Sequence, residues 1–266
     1  MRNKVYTFWQ AAGTMPAYLK LCTATWHRHV SGLEVEVINH DNWHAYVGHL
    51  YDLAALRTFS LPMQSDAVSA AVLAERGGLF LDIDTIVTHD FFEDFVPLAQ
   101  ERFVAFGKPN HKSIHLAILK SMLPGNRVAC AWLETLQQRI SNRPAQIDWS
   151  YLGNGVIDPL LRKEEHFYDY LIVDRSAYGN ILEAGLTTEG QPGSDYLNFY
   201  FDPASELDVE AALRAARYGL VSLHNSWTPA AYKQFSAAQL LEDRRPLTRM
   251  FASLLGREGM ERALTA

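Results

Sequence analysis

The chain has 266 residues, 48% of them hydrophobic and 20% charged, so it can bury a substantial core without disulfides. Its 24 Lys and Arg against 30 Asp and Glu leave a net charge of −6, which argues against a basic face for nucleic acid or anionic lipid. Two cysteines form neither a disulfide scaffold nor, alone, a zinc site. No apolar run reaches the roughly 18 residues of a spanning helix, and no signal-peptide core precedes the first strand-like segment, so we expect a cytoplasmic protein without a transmembrane segment.

The first predicted elements alternate between strand and helix. In chain order they are a strand at 4–9, a helix at 14–29, a strand at 33–38, a helix at 60–75 and a strand from 79. Thr14 would cap the first helix, and Gly77-Gly78 would end the second. Because strands joined by helical crossovers pair in parallel, we predict an α/β fold with a mostly parallel sheet flanked by helices.

The rest of the chain predicts further elements and one irregular stretch. The patterns indicate strands at 103–106, 170–173 and 220–223 and helices at about 126–141, 206–216 and 236–255. Residues 179–205 are the least regular, as is typical of binding loops. Since no linker or repeat divides the chain, we predict a single domain over 1–266 with elaborated loops around 100–215.

Two carboxylates, Asp82 and Asp84, follow the apolar run Leu79 to Leu81. On a strand, residues two apart point to the same face, so both would converge at the carboxyl end of a parallel strand, where α/β sheets place ligands. Their repulsion favours a divalent cation such as Mg²⁺ or Mn²⁺, which binds one or two carboxylates together with substrate phosphates. The alternative is a pair of solvated turn aspartates.

The order Ser65-Asp66, an apolar helix, Gly77-Gly78, a strand and Asp82-Ile83-Asp84 resembles the DXD glycosyltransferases of the capsular-polysaccharide-synthesis and Och-type sugar transferase group. The opening Tyr6 to Trp9 and the late His224 to Trp227 are also similar. The resemblance covers residues 4–90 well and 220–228 locally. It implies a glycosyltransferase A-type, Rossmann-like fold, a UDP- or GDP-sugar donor, Mn²⁺ or Mg²⁺, and retention at the anomeric carbon. The implied acceptor is a glycan or a lipid-linked molecule, and the latter would bring the protein to the membrane surface.

By motif position, the resemblance assigns roles to the three aspartates. Asp84 would ligate the metal directly, and Asp82 would hold the donor ribose or sugar and the waters of the ion. Asp66 would bind sugar hydroxyls, although a carboxylate meeting the helix dipole explains it nearly as well. Asp66 and Asp82 are therefore the predicted catalytic residues.

The late motif supplies the remaining candidates. His224 would be the third metal ligand with Asp82 and Asp84, because neutral imidazole suits Mn²⁺. Asn225 and Ser226 would donate to phosphate oxygens or form a turn. Trp227 would cover the donor phosphates or simply pack.

Three other features bear on donor binding. Trp9 would stack on the nucleotide base, with a core tryptophan as the alternative. The family usually has Arg where this chain has Ser69; Arg57 or Arg76 would replace it, although surface charge is the simpler reading of both. Asn154-Gly155 fits an acceptor loop less well than a helix cap.

Two other functions compete with sugar transfer. Asp82-Ile83-Asp84-Thr85 is similar to the opening motif of haloacid-dehalogenase phosphatases, in which Asp82 would be the nucleophile and Asp84 the acid and base. About 80 residues precede the motif here, whereas that fold normally starts with it. A sugar- or metal-binding relative without catalysis is the third possibility, to which Ser69 lends some support.

Overall fold

The structure is a computed structural model, and it describes residues 4–91, 102–121, 123–175, 187–188, 191–192 and 194–266. The chain forms two compact units, each assembled from three separate stretches of sequence. The first unit comprises Met1–Thr14, Leu33–Asp82 and Glu93–Arg175. The second comprises Met15–Gly32, Ile83–Phe92 and Ser176–Ala266. That the chain forms a single domain over 1–266 remains a prediction from the sequence.

A six-stranded mixed sheet forms the centre of the first unit. Its strands are β1 (Lys4–Phe8), β2 (Glu34–Ile38), β3 (Gly78–Leu81), β5 (Phe103–Lys108), β6 (Ser113–Ser121) and β7 (Tyr170–Asp174), with β4 in the second unit. They lie in the order β2-β1-β3-β6-β5-β7, and all except β6 run in the same direction. The predicted α/β class with a mostly parallel sheet is therefore confirmed.

Helices in the first unit pack against this sheet and each other. They are α2 (His44–Val47), α3 (Leu53–Leu56), α4 (Leu61–Glu75), α5 (Arg127–Ser141) and α6 (Asn154–Leu161), and α1 belongs to the second unit. Helix α4 contacts β1, β3 and β6 on one side and α5 on another. Its residues 67–74 are all buried, because mostly small side chains let its neighbours approach closely.

The turn from α4 into β3 depends on two glycines. Gly77 and Gly78 have φ angles of 66° and 103°, which side-chain-bearing residues rarely adopt. The predicted Gly-Gly helix end is thus confirmed, and it directs the chain into β3.

The second unit contains a two-stranded antiparallel ribbon and most of the remaining helices. Its elements are α1 (Ala17–His29), β4 (Thr85–Val87), β8 (Thr187–Thr188), β9 (Gln191–Pro192), α7 (Ser194–Phe201), α8 (Val209–Arg214), β10 (Leu220–Ser222), α9 (Ala230–Lys233), α10 (Ala237–Glu242) and α11 (Pro246–Thr265). Strands β4 and β10 pair, with Thr85 opposite Ser222. Helix α1 packs on β4 and α11, and the indole N–H of Trp26 donates to the Thr85 carbonyl at 2.7 Å.

Three local predictions are wrong. Helix α1 begins at Ala17 after Pro16, and the Thr14 hydroxyl donates to the Ala11 carbonyl in a short 3₁₀ turn instead of capping α1. The helix at 236–255 is two helices, because the chain is extended before Pro246.

The third correction concerns the carboxylate pair. Residues 82–84 form a break between β3 and β4. The same-face geometry of a strand therefore does not apply to Asp82 and Asp84.

The stretch predicted to be a binding loop is only partly covered. Residues 179–186, 189–190 and 193 lie outside the described residues. Residues 194–201 within it form α7, which no sequence pattern predicted.

Candidate active site

Asp84 immediately precedes β4 in the second unit and is only 6% exposed. Because β4 and β10 are antiparallel, the residues after β10 return to the Asp84 end of the ribbon. The backbone N–H of Asn225 donates to Asp84 Oδ2 at 2.6 Å. Burial raises the pKa of Asp84 to about 6, against the opposing effects of His224 and the Asn225 N–H. A positive charge placed here would relieve that burial penalty.

Aromatic rings fix the orientation of His224. Its ring stacks on Trp227, with centroids 3.9 Å apart and planes 30° apart. The Tyr196 ring meets both with its edge, at centroid distances of 5.8 Å and 5.4 Å. The Tyr196 hydroxyl also accepts the His224 backbone N–H at 3.0 Å. The imidazole is thus held by packing on one face.

Tyr18 of α1 supports the same segment from another side. Its hydroxyl donates to Asn225 Oδ1 at 2.5 Å, and burial raises the pKa of Tyr18, so the group remains a donor. The Asn225 amide is therefore already engaged, whereas Ser226 is exposed. No sequence pattern identifies Tyr18 or Tyr196 as a site residue, and Tyr196 falls in the irregular stretch at 179–205.

The first unit carries the other two aspartates. Asp82 follows β3, and its N–H donates to the Ala117 carbonyl at 2.7 Å. The Ser65 hydroxyl donates to Asp82 Oδ1 at 3.4 Å, and Asp66 is the next residue on α4. The Ser65-Asp66 pair is thus brought to the carboxyl end of β3, where the sequence predicted ligand binding.

The Asp66 carboxylate packs against the backbone at Gly153. A Cβ at Gly153 would lie 2.5 Å from Asp66 Oδ2 and 2.7 Å from Leu116 Cδ1, so a larger residue would displace the ends of both side chains. Burial raises the pKa of Asp66 to about 7. No charged partner or hydrogen bond compensates this burial among the described residues, which makes the carboxylate a candidate for binding a ligand hydroxyl.

The missing family arginine has no evident replacement among the candidates. Ser69 is buried and bonds the backbone carbonyl three residues earlier at 2.9 Å. The guanidinium of Arg57 lies over the Trp43 ring, and that of Arg76 over the Tyr46 ring. These contacts agree with the simpler reading of both arginines as surface residues.

Trp9 is buried in the fold, and Asn154 makes hydrogen bonds at the start of a helix. Trp9 is 6% exposed, so its ring offers little face to a base, and its buried indole N–H has no hydrogen-bond partner among the described residues. Asn154 begins α6, and its amide donates to the carbonyl of Ile114 at 2.8 Å and to Asp158 at 3.1 Å. Base stacking by Trp9 stays a prediction, and Asn154 stabilises local structure.

The predicted metal ligands are divided between the units: Asp82 is in the first, and Asp84 and His224 are in the second. Within the part of the chain that the structure describes, no group of three or more His, Cys, Asp or Glu side chains could hold a metal ion. The second unit nevertheless carries both Asp84 and His224, and His224 acts electrostatically on the Asp84 carboxylate. A carboxylate and an imidazole are donors suited to Mn²⁺. Such a pair fits a cation that takes its other ligands from substrate phosphates and water.

The sequence profile described as capsular polysaccharide synthesis protein matches residues 1–174, about two thirds of the chain. The chain belongs to this family. The match includes Ser65-Asp66, Gly77-Gly78 and Asp82 to Asp84, and thus confirms the resemblance to the capsular synthesis group. No curated protein matches the chain significantly.

Several solved glycosyltransferase structures align with this family member. The glycosyltransferase GlyE of Streptococcus pneumoniae TIGR4 is 13% identical over the whole chain and 62% of its own length, with a TM-score of 0.47. Its apo-form aligns over 64% of this chain and 45% of its own length. The chain thus spans about half of GlyE. PaToxG glycosyltransferase is 11% identical over 96% of this chain and 86% of its own, with a TM-score of 0.42. TM-scores below 0.5 decide neither fold nor activity here.

None of the described helices combines the length and apolarity needed to cross a bilayer.

Proposed function

We propose that this member of the capsular polysaccharide synthesis family is a metal-dependent glycosyltransferase with an A-type fold. It would move a sugar from a UDP- or GDP-sugar to a glycan or lipid-linked acceptor, with retention at the anomeric carbon. The observation that carries the proposal is the buried Asp84 carboxylate at the end of the β4–β10 ribbon, whose pKa is affected by the nearby charge of His224. The cytoplasmic location stays a prediction from the sequence.

Asp84 and His224 would hold Mn²⁺ or Mg²⁺. The bound cation would neutralise the charge that develops on the diphosphate leaving group. Trp227 keeps the His224 ring in a fixed plane by stacking, and the Asn225 N–H orients the Asp84 carboxylate. Fixed ligands of this kind avoid the reorganisation that a mobile side chain would need.

The remaining motif residues would bind the donor. The Asp66 carboxylate, which lacks a compensating partner, would accept hydrogen bonds from sugar hydroxyls. Asp82 would bind the donor ribose or sugar, as the motif predicts. Ser226, which is exposed, would donate to a phosphate oxygen, and Trp227 would cover the phosphates.

Donor hydrolysis by the purified chain tests the proposal. We expect sugar release from at least one UDP- or GDP-sugar with Mn²⁺ or Mg²⁺ and none with a chelator. Asp84→Asn preserves the side-chain shape but removes its charge, and should lower the rate by about 10²-fold or more. The matched control is Asp41→Asn, because Asp41 is exposed and lies outside the proposed site. Equal rates for Asp84→Asn and the unmodified chain would refute the metal assignment, and NMR of the product anomer would test retention.

The two competing functions give different results in the same assays. Phosphate release from a phosphomonoester, without sugar release, would favour the phosphatase interpretation. Saturable binding of a nucleotide sugar without turnover would favour a non-catalytic relative. No observation favours either one, and the family match over the aspartate motif supports the transferase.

A further inference from the structure

A cavity of about 560 Å³ lies in the second unit at the other end of the β4–β10 ribbon from Asp84. There the N–H of Thr88 donates to the Gly219 carbonyl at 2.8 Å. Asp84 and Thr88 are four residues apart along an extended strand, which corresponds to about 13 Å. The cavity has the volume of a small-molecule site.

Basic side chains from three separate segments line this cavity. Arg28 and His29 come from the end of α1, His89 follows β4, and Arg214 ends α8. Glu210 is the one acidic side chain among the described lining residues. Basic residues at the end of α1 complement its helix dipole, but that does not explain why His89 and Arg214 converge on the same space.

Arg28, His89 and Arg214 are exposed, so their side chains are available to a ligand. Arg28 has no hydrogen bond or ion pair within the described part of the chain. The buried Nε2 of His29 likewise lacks a hydrogen-bond partner there. Glu210 accepts from the Ser253 hydroxyl and is 3.9 Å from Arg214, so that ion pair is loose. Burial, and then the neighbouring charges of Arg28 and His89, lower the pKa of His29.

The backbone itself shapes the cavity around His89. A Cβ at Gly219 would lie 2.9 Å from the His89 ring, and Gly219 has a φ of 69°, so glycine is suited to this position on two grounds. The Thr88 hydroxyl contacts His89 Nδ1 at 3.2 Å. The imidazole is therefore positioned by both the ribbon and its neighbour in sequence.

We propose that this cavity binds the phosphoryl group of a small phosphorylated molecule or of a lipid headgroup. Guanidinium groups match phosphate oxygens in a bidentate manner, and Arg28 and Arg214 supply two of them. His89, which is exposed, adds a ring nitrogen that can donate. Two guanidinium groups and one imidazole provide more donors than one carboxylate ligand accepts, which favours a phosphoryl group with three terminal oxygens. The proposal does not depend on sugar transfer at Asp84.

Isothermal titration of the full chain with inorganic phosphate tests the soluble source. We expect saturable binding that weakens about tenfold in Arg28→Gln and in Arg214→Gln, the loss of one charge-assisted contact each. The matched control is Arg244→Gln, because Arg244 is exposed in the same unit and does not line the cavity. An equal loss in the control would show general charge attraction and overturn the proposal.

Co-sedimentation with phosphatidylcholine vesicles, with and without phosphatidic acid, tests the lipid source. Binding only to the vesicles that contain phosphatidic acid, lost in Arg28→Gln but not in Arg244→Gln, would support a headgroup site. Binding in neither experiment would refute the proposal. Histidine ring NMR of the unmodified chain is independent of variant folding: phosphate should shift the His29 and His89 signals, and unshifted signals would also refute it.

Discussion

The partly buried carboxylate of Asp66 should make the stability of the chain fall as the pH rises. Burial raises its pKa from 3.8 to about 7. Between pH 3.8 and about pH 7, the folded state then binds more protons than the unfolded state. The free energy of unfolding is therefore greatest below pH 3.8 and decreases until the pH passes about 7. Asp66→Asn removes this titration.

The magnitude follows from the pKa difference. Three pKa units correspond to about 4 kcal/mol at pH 8, and the same relation gives about 1.6 kcal/mol at pH 5. Because the Asp66 side chain is partly exposed, we expect about half of each value. The stability of Asp66→Asn relative to the unmodified chain should therefore be about 1 kcal/mol higher at pH 8 than at pH 5. Any effect of the amide that does not depend on pH cancels in this difference.

Urea unfolding of both proteins at the two pH values measures this change. Asp41→Asn is the control, since it makes the same chemical change at an exposed position. A stability difference between Asp66→Asn and the unmodified chain that is the same at pH 5 and pH 8 would refute the reasoning.

Two further substitutions test the contacts around the candidate site. Gly153→Ala should destabilise the fold by about 1–3 kcal/mol in urea, because the added Cβ would displace the ends of the Asp66 and Leu116 side chains. Tyr18→Phe should also lower the free energy of unfolding by about 1–3 kcal/mol, because it leaves Asn225 Oδ1 without its donor.

Each substitution has a matched control of the same chemical change. Gly13→Ala adds a Cβ where nothing lies within 4 Å, and Tyr168→Phe removes a hydroxyl from a side chain that is 92% exposed. Both should change stability by less than about 0.5 kcal/mol. If a control lowers the free energy of unfolding as much as its matched substitution does, the contact proposed for that substitution does not explain the loss.

Most elements of the fold could be predicted because their signals are local. The alternating residues 34–38, the helix through Glu75 and the Gly77-Gly78 turn each carry their own pattern of burial or backbone freedom. The predictions failed where two local signals competed. Pro246 divides an apparently continuous helix, and residues 82–84 leave the strand despite the apolar run before them.

By itself, the sequence determined the α/β class, the aspartate motif and the resemblance to the capsular polysaccharide synthesis family, since these depend on periodicity and on residues close together in the chain. Tertiary structure alone decided that Asn225 reaches Asp84 across 141 positions and that Tyr18 reaches Asn225 across 207. It also brought Arg28, His89 and Arg214 around one cavity. The physical reason is that strand pairing and helix packing set the distances between remote residues, which no local pattern encodes.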